Sequence, residues 1–212
     1  AWLPVQGTRA SQLHSLERLL AERLRCPELR AAHRLDRQTS GVLLLARDAQ
    51  RAAFLGRALS DRRVAKTYLA WVSPPPESSD WTVRGPIGPT KTGKRYRFEL
   101  RTAPAPDARD SETHFRVVSR AAERALVECR PITGRTHQLR VHLAASGSAI
   151  VGDDLYGPDW REGAASSAER IQLHAAALRM RLAPRSPELE IRASTPADFL
   201  VVGAPGFEPG TF

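Results

Sequence analysis

The sequence is poor in the residues on which many functions depend. It holds two cysteines, Cys26 and Cys129, a single methionine and only 6% aromatic residues. The two cysteines stand far apart and form no C-x-x-C pair, which excludes a disulfide framework and a zinc knuckle, so both read as ordinary buried thiols. No apolar stretch approaches the ~20 residues that span a bilayer, and no charged start leads into an apolar signal core. A soluble, unsecreted, cytoplasmic protein with no membrane partner is therefore expected. There is no internal repeat. Walker loops, G-x-S-x-G elbows and dinucleotide fingerprints are also missing, which removes the usual support for NTP hydrolysis, esterase chemistry and hydride transfer.

What the chain does have is length for one core and an excess of positive charge. With 212 residues, 42% of them hydrophobic, it can bury one substantial core. A single domain over residues 1–202 is expected, with 203–212 (GAPGFEPGTF in its last ten residues, no periodicity) as a tail. Lys and Arg number 32 against 23 Asp and Glu, a formal charge of +9. That balance favours a polyanionic partner, nucleic acid first, although an acidic membrane or mere solubility would use the same charge.

Along the chain, leucines at 13, 16, 19, 20 and 24 have helical spacing and predict an amphipathic helix over 11–25. The apolar run Val42 to Ala46 predicts a buried strand, and Asp48 is placed to cap a helix whose inner face is Phe54, Leu55, Ala58 and Leu59. Val64 to Val72 reads as a strand with Lys66 and Tyr68 on one face and Leu69 and Trp71 on the other. Residues 73–112, rich in Pro, Gly and charge, predict long exposed loops around short strands. Two strands follow, His114 to Arg120 and Arg124 to Arg130, then a helix from about Thr136 to Gly147 and closing strands at 171–182 and 188–193.

Three clusters hold candidate chemistry. Asp36, in HRLDRQTSG, is flanked by Arg34 and Arg37. Positive neighbours favour an ionised carboxylate, an available nucleophile or base, while a surface loop with self-paired charges is the plainer account. GRTHQLRVHL gathers Arg135, His137, Arg140 and His142. On a helix His137 and Arg140 share a face but His137 and His142 diverge, which argues against zinc, since a metal pair on a helix wants i, i+4 spacing. Asp153 and Asp154 in GDDLYG suggest a magnesium site, yet the glycine-bounded segment is more simply a tight turn anchored by Tyr156. No metal and no cofactor is expected.

HRLDRQTSGVLLLAR, VAKTYLAWV, RPITGRTHQLRVHLAASGSAIVGDDLYG and IQLHAAAL, in that order and spacing over about residues 31–182, resemble the RluA family of pseudouridine synthases. The resemblance implies an α+β fold, a mixed and largely antiparallel sheet with flanking helices around a central catalytic cleft. It implies RNA as the partner, ribosomal or transfer RNA, and isomerisation of uridine to pseudouridine; a monomer is expected. By position, Asp36 matches the family's catalytic aspartate, and Arg34 an arginine implicated in displacing the target base. Tyr68 matches the tyrosine that packs on the uracil, Lys66 the lysine of the same K-x-Y motif, Arg140 the basic partner of the catalytic carboxylate, and Leu173 an apolar wall of the base pocket. Such a carboxylate can act on a ribose proton or bond covalently to sugar or base; both routes stay open here.

The sequence also departs from the family. The usual opening strand with a lysine-proline-glycine signature is not evident before Gln6, and the S4 module is missing, as in a truncated or stripped-down member. The loop ending in DSETHF replaces the commoner form of that segment. A non-catalytic RNA-binding protein built on the same fold is the rival reading, and a metal-dependent nuclease resting on Asp153 and Asp154 is a third.

Overall fold

The computed structural model describes residues 3–6, 15–92, 95–157, 170–183 and 185–199. The expected tail at 203–212 and the first turn of the expected helix over 11–25 lie outside the described residues. Helix α1 runs Leu16–Arg23, capped by the Ser15 side chain on the Arg18 amide. None of its residues is fully buried, and Leu19 stays exposed, as does Leu24 beyond it, so the leucine stripe packs less deeply than its spacing predicts.

Strands β1 (Arg30–Ala31) and β3 (Leu45–Ala46) form a small antiparallel pair, and β2 (Ser40–Gly41) lies between them in sequence. The expected continuous strand Val42 to Ala46 is thereby corrected, because only its end, Leu45 and Ala46, is strand, while the Val42 N–H donates to the Ala175 carbonyl at 2.9 Å. β2 joins the main sheet, whereas Leu45 and Ala46 pair with β1. Helix α2 (Ala49–Ser60) starts where expected, its first free amides met by the Asp48 carboxylate, which accepts from the Arg51 N–H at 2.7 Å. Its Ala58 is buried against Val42 and Val64, with Leu55 and Leu59 partly buried beside it.

The main sheet is built from β4 (Val64–Ser73), β5 (Asp80–Thr92), β6 (Arg95–Leu100), β7 (Arg109–Arg120), β8 (Ala125–Pro131), β9 (Ala149–Ile150), β10 (Leu173–Arg181) and β11 (Glu188–Arg192). Its strand order is β11-β10-β4-β8-β7-β5-β6, every pair on that path antiparallel. β2 adds to β10 in parallel and β9 adds to the end of β4. Helix α3 (Gln138–Ala145) packs on one face.

The long hairpin β5–β6 replaces the loops expected over 73–112. Two prolines inside β5 explain why the sequence misleads. Pro86 belongs to the half of β5 that pairs with β7, and Pro89 to the half that pairs with β6, the two ladders meeting only at Ile87. Each proline therefore sits on a strand edge, where its missing N–H breaks no ladder.

Alternation along β4 divides the core. Ala70 and Val72 point to the α3 side, with Phe115, Val127, Cys129, Leu139, Leu143 and Leu173. Leu69 and Trp71 point the other way, with Leu126 and Phe199, and the Trp71 indole N–H donates to the Phe199 carbonyl at 2.9 Å. Burying a side chain such as Leu143 contributes about 1.5–3 kcal/mol. Both cysteines are free. Cys129 is buried as expected, Cys26 only partly.

Candidate active site

The Asp36 loop is fastened at both ends. On its N-terminal side the His33 imidazole accepts the Leu44 amide at 3.0 Å; burial lowers the pKa of that ring and keeps it a neutral acceptor. On its C-terminal side β2 docks on β10, with Gly41 opposite Ala175. Gly41 has φ +116°, and a Cβ there would stand 2.2 Å from the Ala175 carbonyl oxygen, so only glycine permits the approach. Ser40 Oγ lies 2.9 Å from His174 Nδ1 and accepts from Arg170 at 3.1 Å. Between these anchors a turn, Thr39 N–H to Asp36 carbonyl at 2.9 Å, leaves Asp36 on the wall of a cleft of about 460 Å³. That volume falls within the range of small-ligand sites.

The opposite wall is the loop 131–137 and the start of α3. The Gln138 carboxamide clamps it. Its oxygen accepts from Thr133 Oγ1 at 2.7 Å and from the Arg135 amide at 2.9 Å, and its nitrogen donates to the Glu112 carbonyl at 3.0 Å and Thr113 Oγ1 at 2.9 Å. His137 precedes the helix in the left-handed region, φ 55° and ψ 18°. It therefore does not share a helical face with Arg140, contrary to the spacing argument.

Arg140 lies one turn into α3, buried. Its Nε and Nη2 donate to the two oxygens of Asp153 at 2.8 and 2.7 Å, and the Tyr156 ring packs on its guanidinium at 5.0 Å. Its Nη1 stands 3.8 Å from the Asp36 carboxylate and Nη2 3.7 Å from Asp154. The pairing of Arg140 with Asp36 is thus a charge contact, longer than a hydrogen bond. Burial works against the Arg140 cation, and the hydrogen bonds and charge of Asp153, then the charge of Asp36, outweigh it and raise its pKa.

Asp153 is the residue that sequence reasoning undervalued. The expected turn is present, with Tyr156 buried at its end. Yet the Asp153 side chain is fully buried, and Oδ1 also accepts the amides of Leu155 and Tyr156 at 2.9 and 3.0 Å. A buried guanidinium requires a carboxylate, but the burial of Arg140 is not visible in the sequence. With Asp153 so engaged, the magnesium reading loses its central ligand, and the described residues contain no cluster of three or more His, Cys, Asp or Glu side chains.

The remaining candidates meet in the same cleft. Tyr68 on β4 lines it, and burial, then the charge of Asp36, push its pKa up, so the phenol keeps its proton. Leu173, opposite Ala70 across the β4–β10 ladder, is buried and lines the cleft as well. Lys66 Nζ donates to the Thr133 carbonyl at 3.2 Å; burial, then the nearby Arg135 charge, lower its pKa. Arg34 is exposed at the mouth, between the cleft and a neighbouring hollow of about 490 Å³ that Tyr96, Gln38 and Asp154 also line. The ensemble is a pocket with one carboxylate at its wall, a fixed cation beside it, apolar and aromatic sides, and basic residues at its rim.

A family model described as RNA pseudouridylate synthase matches residues 1–145. The dual-specificity RNA pseudouridine synthase RluA of Vibrio cholerae is 38% identical over 156 residues, 72% of this chain and 60% of that protein. The ribosomal large subunit pseudouridine synthase C of Salmonella typhi is 37% identical over 183 residues, 82% of this chain and 55% of that protein. The chain thus spans between half and three-fifths of the length of these curated relatives. Among solved structures, human RNA pseudouridylate synthase domain containing 1 superposes with a TM-score of 0.71 at 33% identity, covering 88% of this chain and 75% of that one. Human RNA pseudouridylate synthase domain containing 4 gives 0.73 at 28% identity, covering 93% and 84%. With two thirds of the chain matched by the family model and the fold shared with two solved members, the chain belongs to the RNA pseudouridylate synthase family.

Proposed function

We propose that this protein isomerises uridine to pseudouridine in ribosomal or transfer RNA, as a cytoplasmic monomer, with Asp36 as the reacting carboxylate. One observation carries the reading. The Asp36 carboxylate lines a cleft of about 460 Å³, room enough for a nucleotide, beside a guanidinium that at 3.8 Å is too far to engage its oxygens in hydrogen bonds.

The reaction breaks the bond from uracil N1 to ribose C1′ and forms one from C5 to C1′; N1 gains a proton and C5 loses one. The chain's own groups fit that task. Asp36 assists by taking a ribose proton or by bonding to sugar or base, with the Arg140 guanidinium 3.8 Å from its carboxylate. The Tyr68 ring and Leu173 confine the detached uracil and exclude water. Lys66, which lines the cleft, and Arg34 at its mouth bind the RNA, and Arg34 fills the space left by the flipped base.

Replacing Asp36 by Asn removes the charge while keeping the shape. Isomerisation should fall below detection, and RNA affinity should change by less than about tenfold, roughly 1.4 kcal/mol. Tritium release from [5-³H]uridine transcripts reads the first, filter binding the second, and circular dichroism checks the fold. Turnover by the folded variant near the parent rate would remove Asp36 from the chemistry and favour the binding-protein reading.

A further inference from the structure

His137 is held by its ring as well as its backbone. Its Nδ1 lies 2.9 Å from the Tyr156 hydroxyl, and the ring stands edge-on to Phe98 and Tyr156 at 5.7 and 5.6 Å. The same hydroxyl accepts the Phe98 amide at 3.0 Å. A backbone N–H can only donate, so the phenol still has its own proton to place, and its other polar neighbour among the described residues is His137 Nδ1. Giving the proton to Nδ1 leaves no buried donor unmatched; the opposite tautomer would strand the phenol proton in a buried site. His137 Nδ1 is therefore the acceptor, and the ring carries its hydrogen on Nε2.

That Nε2 has no protein partner among the described residues, and His137 lines both the cleft and the neighbouring hollow, as do Asp36 and Arg140. Burial, with the charges of Arg140 and Arg34, disfavours a second proton on the ring more than Asp36 and Asp153 favour it, so the imidazole is neutral. Its backbone occupies a region that non-glycine residues seldom enter, and the Gln138 clamp next to it holds it there.

We infer that His137 recognises the substrate, offering a fixed, neutral Nε2–H donor to an oxygen acceptor of the nucleotide beside Asp36. Of the oxygens such a nucleotide offers on base, phosphate and ribose, a uracil carbonyl is the acceptor inferred, with a phosphate oxygen as the alternative that the test separates. At position 4 of the ring, the donor would accept uracil and oppose the amino group of cytosine. The inference rests on the isomerase reading above and adds to it the group that reads the base.

The test uses large-subunit rRNA and tRNA transcripts made with [5-³H]UTP, or with its 2-thio, 4-thio or α-thio analogue, sulfur being the weaker acceptor. The parent protein should lose about tenfold in kcat/KM on one thiocarbonyl transcript. His137→Asn, chosen because Asn tolerates the left-handed backbone, should lose a similar factor on the ordinary transcript and nothing further on that thio transcript. Tyr156→Phe keeps the ring under Arg140 but frees the tautomer, and should weaken the same thio effect. Coupling to the α-thio transcript alone would make the acceptor a phosphate. If His137→Asn and Tyr156→Phe, both folded, keep the parent's sensitivity to every thio substitution, the inference is overturned. If the parent releases no tritium from any ordinary transcript, the isomerase reading itself fails.

Discussion

A guanidinium as buried as that of Arg140 is stable only with a carboxylate on it, and Asp153 supplies that carboxylate in full. Asp36 is spared the duty and keeps its oxygens unencumbered by the arginine. Asp153→Asn should therefore destabilise the fold by roughly 3–5 kcal/mol, the usual effect of breaking a buried pair. It should also release Arg140 toward Asp36, lowering kcat with little change in KM. Urea denaturation and steady-state kinetics measure the two effects, and a variant unchanged in both would show that Asp153 does not position Arg140. At this scale the sequence was legible where a residue's type carried its meaning. Asp36, Tyr68, Arg140 and Leu173 do meet in one cleft. The role of Asp153 and the left-handed backbone of His137 were not legible, because both depend on contacts across the fold rather than on neighbours in the chain.

Helix α3 is seated on the sheet by a buried polar chain. Ser111 Oγ donates to the Gly85 carbonyl at 2.6 Å and lies 2.8 Å from His142 Nε2, while His142 Nδ1 lies 3.0 Å from Thr113 Oγ1. Burial pushes the His142 pKa down to about 4. In the unfolded chain it returns to about 6.5, so the unfolded state binds the proton first as pH falls. The contribution to stability is complete above about pH 6.5 and is lost as pH falls toward 4. His33, His137 and His174 are shifted in the same direction and add to the slope. Guanidine denaturation at several pH values between 7 and 4 should show the decline, and His142→Gln should flatten it by up to one proton. An identical slope in that variant would mean that His142 does not titrate on unfolding. Elements whose signals are local, such as α2 with its Asp48 cap and β4 with its alternation, were readable from sequence. The β5–β6 hairpin was not, since proline weighs against a strand unless the edge it occupies is known, and that edge is a property of the sheet.

Over the whole molecule the +9 charge favours the phosphate backbone. RNA affinity should fall steeply between about 50 and 200 mM salt, linearly on logarithmic axes, with a slope that counts the phosphates neutralised. Filter binding across a salt series measures it, and a flat line would reject electrostatic docking. The resemblance in motifs supplied the overall architecture; the path of the chain through it came from the structure. That path has a temporal side. Ser40 meets His174 across 134 positions of sequence. A ribosome adding about 5–20 residues per second needs roughly 7–27 s to travel that distance. During that interval the Asp36 loop exists without the strand that sets its register. The nascent chain, surrounded by RNA, thus carries its carboxylate for several seconds before the wall that would aim it has been made.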